Sequence, residues 1–279
     1  MTVLLSLLAA ASYGFGDFNG GIFSKRGGAW AVALVAQLSG TAAVAVVALV
    51  LGGSPTGTDL AWAGLAGLGN GFGTAFLYRG LSSGRMGVVA PVSGVGAVLV
   101  PVAVGVVTGE RPDVSVWAGV LLAVPAIWLV AREPGPRVAG AGAQRSGVLD
   151  GVLAGLGFGG LFAALAQVPE GSGFLPLALN QLVAGVTIVL VALALRQDWV
   201  PRSRWALGGI VSGCLGALAT GLFQVATHHG YLSVAAVITS LYPAFTVLLA
   251  AVLLRERVHR SQGLGLALCA VSVVFVAAG

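Results

Sequence analysis

Charge is scarce in this sequence. Only 8% of its 279 residues are Asp, Glu, Lys or Arg, against roughly 25% in soluble domains. A soluble catalytic or regulatory domain is excluded on that ground. Cysteine is nearly absent as well. Cys214 and Cys269 lie in separate apolar stretches, too few and too distant for a disulfide framework, and read as small core residues. Of the three histidines, His228 and His229 are neighbours and so cannot form the i, i+4 pair of a helical metal site. No HExxH, paired carboxylates or lysine occurs inside an apolar stretch, which argues against an intramembrane hydrolase. No phosphate-cradling glycine motif is present, so ATP hydrolysis has no part, and neither a metal nor a cofactor is expected. The first apolar run has no basic residues before it, so Ala9-Ala10-Ala11 does not read as a cleavage site.

What the chain does have is long apolar runs. It is 57% hydrophobic with a mean hydropathy of +0.99. Ten stretches have helix-spanning length: 3–23, 29–51, 59–78, 87–108, 114–131, 147–167, 174–195, 205–227, 232–254 and 262–278. A hydrocarbon core about 30 Å thick needs about 20 apolar residues per helix, so ten spans leave only short connections. The fold class expected is an all-α integral membrane protein of ten transmembrane helices. Many of the 44 glycines sit inside the spans, where small residues let backbones approach.

The few cations are unevenly placed. Lys25, Arg26, Arg79, Arg85, Arg132, Arg137, Arg145, Arg196, Arg202, Arg204, Arg255, Arg257 and Arg260 lie in the five odd-numbered loops, and only Arg111 lies in an even one. Cationic loops stay on the cytoplasmic side during insertion, so a cell-membrane protein with both termini outside the cytoplasm is expected. The pI near 9.9 does not indicate nucleic acid, because these cations are spread along a membrane edge rather than clustered on a basic face. Anionic lipid is the simpler partner. Trp30, Trp62, Trp117, Trp128, Trp199 and Trp205 fall near span ends, as an interfacial aromatic belt requires.

The two halves repeat. Tyr13-Gly14-Phe15-Gly16 is matched by Leu156-Gly157-Phe158-Gly159, which makes Gly160 the counterpart of Asp17. Gln37-Leu38 is matched by Gln181-Leu182, and Glu110-Arg111 by Glu256-Arg257. Asn70, Thr74 and Tyr78, followed by Gly80, are matched by Thr220, Gln224 and His228, followed by Gly230. The units run 1–131 and 147–279, joined by a basic linker at 132–146. Five spans is an odd number, so the second copy enters inverted. The loops agree, because those rich in Lys and Arg in one copy are poor in the other. Inverted repeats are characteristic of secondary transporters.

Ser12-Tyr13-Gly14-Phe15-Gly16-Asp17-Phe18, Tyr78-Arg79-Gly80-Leu81 leading into Val88-Val89-Ala90-Pro91-Val92, and Gly109-Glu110-Arg111 carry a family resemblance. Ser240-Leu241-Tyr242-Pro243 with Leu254-Arg255-Glu256-Arg257 gives the second-half version. The chain resembles EamA-type members of the drug/metabolite transporter superfamily along essentially its whole length. The resemblance implies a ten-helix bundle with a central cavity lined mainly by spans 1, 3, 4, 6, 8 and 9. It also implies a small-metabolite substrate, and it is the sole ground for expecting export.

Asp17 is the only acid well inside a span. It lies eight residues before Lys25, about 12 Å along a helix. An intramembrane charge normally faces a cavity or is protonated, so Asp17 is a candidate for binding a cationic or zwitterionic substrate and for proton coupling. The structural alternative is a carboxylate that caps a glycine-broken helix or pairs with Arg79. Tyr13 shares its helical face, together with Ser6 and Ser24. Asn70 and Thr74, and Gln224 in span 8, are candidates for orienting a substrate, with interhelical hydrogen bonding as the alternative. Ser93, Thr239 and Tyr242 extend the polar set. Pro91, Pro101, Pro125, Pro176 and Pro243 interrupt apolar helices, and Pro91 and Pro243 are the candidate gating bends. Glu110 and Arg111 read as solvated or paired helix-end charges. The expected function is a secondary transporter of small organic metabolites. An uncoupled facilitator of neutral metabolites is the alternative, and a channel, an intramembrane enzyme or a structural membrane protein are remoter ones.

Overall fold

A computed structural model describes residues 1–82, 86–131, 141–253 and 259–278. Arg85, Arg132, Arg137, Leu254, Arg255, Glu256, Arg257 and positions 132–140 of the expected linker lie outside the described residues. The apolar stretches are helical: α1 Thr2–Gly27, α2 Ala29–Leu51, α3 Gly57–Ser82, α4 Met86–Val107, α5 Val114–Ala131, α6 Ala141–Leu165, α7 Leu175–Ala194, α8 Gly209–His228, α9 Leu232–Thr239, α10 Tyr242–Leu253 and α11 Arg260–Ala277. Short 3-10 turns at Glu170–Ser172 and Arg204–Gly208 precede α7 and α8. No strand occurs among the described residues.

Among the described residues six stretches are long and apolar enough to cross a membrane: Ala29–Leu51, Val148–Leu165, Leu175–Ala194, Arg204–His228, Leu232–Leu253 and Arg260–Ala277. Val92–Val107 and Val114–Val130 are shorter apolar runs. α1 and α3 have 26 residues each, about 39 Å at the α-helical rise and longer than a hydrocarbon core about 30 Å thick. They are less apolar because they carry Tyr13, Asp17, Asn70, Thr74 and Tyr78, which face inward. Large apolar side chains such as Leu4, Leu49, Val107, Leu121, Leu190 and Val274 point outward. That surface suits lipid, which makes no demand for polar cover provided that backbone groups are paired within helices.

The ninth apolar stretch is broken, and its sequence gives the cause. Pro243 has no N–H to offer the Thr239 carbonyl, and its ring crowds that oxygen. The chain therefore leaves α9 through tighter bonds, Leu241 N–H to Ile238 O (3.2 Å) and Ala244 N–H to Leu241 O (2.9 Å). It resumes as α10 at Tyr242. The other prolines behave differently from expectation. Pro125 lies inside an unbroken α5, Pro91 and Pro101 fall within an unbroken α4, and Pro176 opens α7. An opening proline costs a helix little, because first-turn N–H groups have no intrahelical partner.

The most extensive helix contacts come in pairs related by exchange of the two halves. α1 packs on α8 and α6 on α3; α2 packs on α8 and α7 on α3. α1 also packs on α9 and α10 as α6 does on α4, while α2 meets α7 and α5 meets α11. Glycines set the closest of these approaches. A Cβ at Gly96 would lie 2.7 Å from the Gly155 Cα, and one at Gly157 would lie 2.7 Å from the Gly69 carbonyl oxygen. The obstacles are backbone atoms that cannot swing aside, so α6 sits against α3 and α4 only because these positions carry no side chain.

The loops sort into two ends. The Arg26 guanidinium lies 4.9 Å above the Trp205 ring, and Arg79 at the end of α3 pairs with Asp150 near the start of α6. These contacts gather odd-numbered loops. At the opposite end, Ser54 N–H donates to Gly171 O (3.1 Å) and Ser172 donates to Asp59 Oδ2 (2.8 Å). Two expectations need correction here. Trp30 is 5% exposed and packed in the bundle rather than at the lipid interface, because α2 starts beneath the turn before α8. Cys214 is exposed, not core.

Candidate functional site

Seven helices close around one polar cavity of about 60 Å³. α1 supplies Tyr13, Gly16 and Asp17, and α3 supplies Asn70, Thr74, Leu77 and Tyr78. α2 and α7 add Gln37 and Gln181, α6 adds Phe158 and Phe162, α8 adds Ser212, Gly213, Gly216 and Thr220, and α10 adds Tyr242. Ligand pockets commonly run from about 300 Å³ upward, so this cavity is small for a metabolite.

One wall is an amide cluster that bridges the halves. Gln37 Nε2 donates to Asn70 Oδ1 (3.3 Å) and to Thr74 Oγ1 (3.2 Å). Asn70 Nδ2 donates to Gln181 Oε1 (2.8 Å). Asn70 thus ties α3 to α2 and α7 with a single side chain. Its sequence counterpart Thr220 does something else. Thr220 donates to Gly216 O (2.7 Å) and accepts from the Tyr13 hydroxyl (2.7 Å). The repeats have diverged in chemistry at equivalent positions.

Opposite stands Asp17. Among the described residues no hydrogen bond or ion pair engages its carboxylate. Both structural alternatives for it lack their geometry. α1 is continuous from Thr2 to Gly27 with no glycine break for the acid to cap. Arg79 is committed to Asp150, donating from Nε at 3.0 Å and also from Nη2. Asp17 therefore presents an unpaired acid to a chamber walled by three phenols, two phenyl rings and neutral amides. Placing a carboxylate there costs several kcal/mol, which fits a group meant for an exchangeable partner.

The cavity brings together Tyr13, Asp17, Asn70, Thr74 and Tyr242 of the expected set. Gln224, Ser93 and Thr239 are buried elsewhere. Gln224 lies a turn beyond Thr220; Ser93 stands 3.4 Å from the Tyr242 hydroxyl; Thr239 sits at the α9 break; among the described residues neither Gln224 Oε1 nor the Thr239 hydroxyl has a partner. Pro243 is not on the wall, and the Pro91 side chain lies outside what the structure describes.

The sequence reading omitted Gln37 and Gln181, because the family resemblance placed the cavity on spans 1, 3, 4, 6, 8 and 9. Among the described residues α4 contributes nothing to the wall, and α2 and α7 do. Their signal was the matched glutamine in each repeat. A Cβ at Gly160 would meet open space, and α6 lines the cavity with Phe158 and Phe162 rather than with Gly160.

No curated protein matches the chain. A solved crystal structure of another protein superposes with a TM-score of 0.73 at 17% identity, over 98% of this chain and 95% of that one. At that identity the likeness is one of fold. The EamA-like transporter family matches twice, at residues 1–132 and 145–278, once in each half of the chain. With its multi-pass apolar helices and central polar chamber, the chain belongs to the EamA-like transporter family and is a membrane transporter of small molecules.

Proposed function

We propose that this protein is a secondary transporter that exports small organic metabolites, with a preference for amphipathic cations or zwitterions, by alternating access. The observation that carries the reading is the unpaired Asp17 carboxylate facing a chamber of rings and neutral amides. A cation supplies what that acid lacks, the rings hold an apolar body, and the amides orient polar groups. In this reading the ten stretches all span the cell membrane and the two five-span units are inverted with respect to one another. The helix pairing that survives exchange of the halves supports it, because exchanging the conformations of two similar halves turns one open state into the other. The chamber, small for a metabolite, corresponds to a closed state between the two. A second reading, an uncoupled facilitator of neutral metabolites, rests on the amide cluster alone.

Transport is tested with the purified chain in vesicles, loaded with a panel of cationic, zwitterionic, neutral and anionic metabolites. Saturable efflux of the first two classes, independent of ATP, is the expected result. Equal retention of every class by protein-containing and empty vesicles counts against the reading. Orientation is tested separately with reporters at the C-terminus. One active only outside the cytoplasm is expected to work and a cytoplasm-active one to stay silent, since 13 of the 14 Lys and Arg side chains lie in odd loops. A strong cytoplasmic signal reverses the assignment.

A further inference from the structure

We infer that Glu110 is a latch between the two halves, holding the α4–α9 seam shut at the end of the bundle where the even-numbered loops gather. The inference rests on the transport reading for its purpose and on geometry for its existence. α9 begins at Leu232, and its N-cap residue Tyr231 offers no side-chain acceptor. Its first N–H groups have no intrahelical partner. Glu110 supplies one from the other half: Oε1 accepts the Leu232 N–H, and Oε2 accepts the Ser233 N–H at 3.1 Å. The bonds are charge-assisted, and the carboxylate sits at the positive end of the α9 dipole.

The surrounding sequence is arranged to deliver this carboxylate. Gly109 takes φ +110°, a conformation that side chains resist, and turns the chain back. The Glu110 N–H then bonds the Gly105 carbonyl at 2.8 Å. Any Cβ at Gly105 would occupy the space of the Glu110 carboxylate. Arg111 donates from Nη1 to the Val106 and Glu110 carbonyls (3.2 and 2.8 Å), satisfying the end of α4 without drawing on the acid. Of the two readings of Glu110 as a solvated or a paired helix-end charge, the geometry fits the paired one.

A static cap would need none of the geometry that follows. α9 has eight residues, about 12 Å of helix, and ends at the Ser240–Leu241 break. Beyond the break, Tyr242 enters the cavity wall. Glu110 therefore tethers the outer end of a short rigid segment whose inner end is a proline-made bend at the chamber. Releasing the tether frees that segment to tilt about the bend and opens the chamber toward the even-loop end.

The test uses the full chain in vesicles, with Cys214→Ala and Cys269→Ala removing native thiols and Ser6→Cys as reporter. Ser6 lies in the second turn of α1 and is fully buried. A membrane-impermeant thiol reagent is added on the even-loop side. Glu110→Ala is expected to raise the reporter's labelling rate about tenfold, the effect of losing bonds to a charged acceptor. Glu110→Gln, which keeps one acceptor and loses the charge, is expected to raise it about threefold. Labelling rates equal to the parent's in a folded variant, even with a lowered melting temperature, overturn the latch and leave a static cap. If Glu110→Ala does not assemble, the Gln variant decides. Failure of the parent to move any solute, with the reporter still responding to Glu110, sinks the transport reading and leaves the latch standing.

Discussion

Asp17→Asn is expected to leave the protein folded and to lower transport of cationic substrates about 10- to 100-fold, the factor for a lost charge-assisted contact. The side chain keeps its volume, and no hydrogen bond or ion pair among the described residues is lost with its charge, so assembly has no reason to fail. What disappears is the only acid among the described residues of the cavity wall. The substrate cation then enters a chamber of neutral groups without compensation for its lost hydration. The check is initial rates in vesicles across a pH series, at matched protein level. The unmodified protein is expected to show a pH-dependent rate, because a proton and a substrate cation compete for one carboxylate, whereas the Asn variant is expected to give a flat profile. Matching rates and profiles assign Asp17 a structural role and make the uncoupled facilitator the leading account.

Asn70→Leu is expected to be the more destabilising change. It leaves the Gln181 carbonyl unpaired in a buried site and the Gln37 amide with Thr74 alone, and an unsatisfied buried group costs about 1–3 kcal/mol. Interhelical hydrogen bonds in membranes are individually weaker, about 0.6 kcal/mol on average, so the loss expected overall is about 2 kcal/mol. The informative comparison is the triple variant Gln37→Leu, Asn70→Leu, Gln181→Leu. Replacing all partners with apolar side chains together is close to neutral for stability, so its melting temperature is expected to recover toward that of the parent. Its transport is not expected to recover, because the cavity would then have no amides with which to orient a substrate. Recovery of both would make the cluster a helix-joining device only.

These two sites show how legible the chain was. Asp17 stands out in the sequence because a lone acid in an apolar run is conspicuous and expensive. The amide cluster does not, because Gln37 and Gln181 are unexceptional in composition and become a unit only when α2 and α7 meet. Asn70 was visible as one of three residues at helical spacing; that it joins both glutamines was not. Phe158 and Phe162 carry no signal of their own, and the repeat match to Asp17 pointed instead to Gly160, which does not line the cavity. Glu110 was legible as a motif and as a helix-end charge, solvated or paired; which helix it pairs with was not, since the N–H groups it accepts from lie 122 and 123 residues away.

The sequence by itself determined the helices, the duplication and the membrane setting. Each of these follows from local periodicity, composition and charge, which act through the backbone and the bilayer and need no knowledge of neighbours. Tertiary structure decided which faces meet: the glycine contacts that bring α6 onto α3 and α4, the pairing of Arg79 with Asp150 that leaves Asp17 free, and the capping of α9 by Glu110. Among the five prolines it also selected the one that breaks a helix. Hydrogen bonds and packing reach only a few ångströms, so what a side chain does is set by residues far away in the chain and near in space.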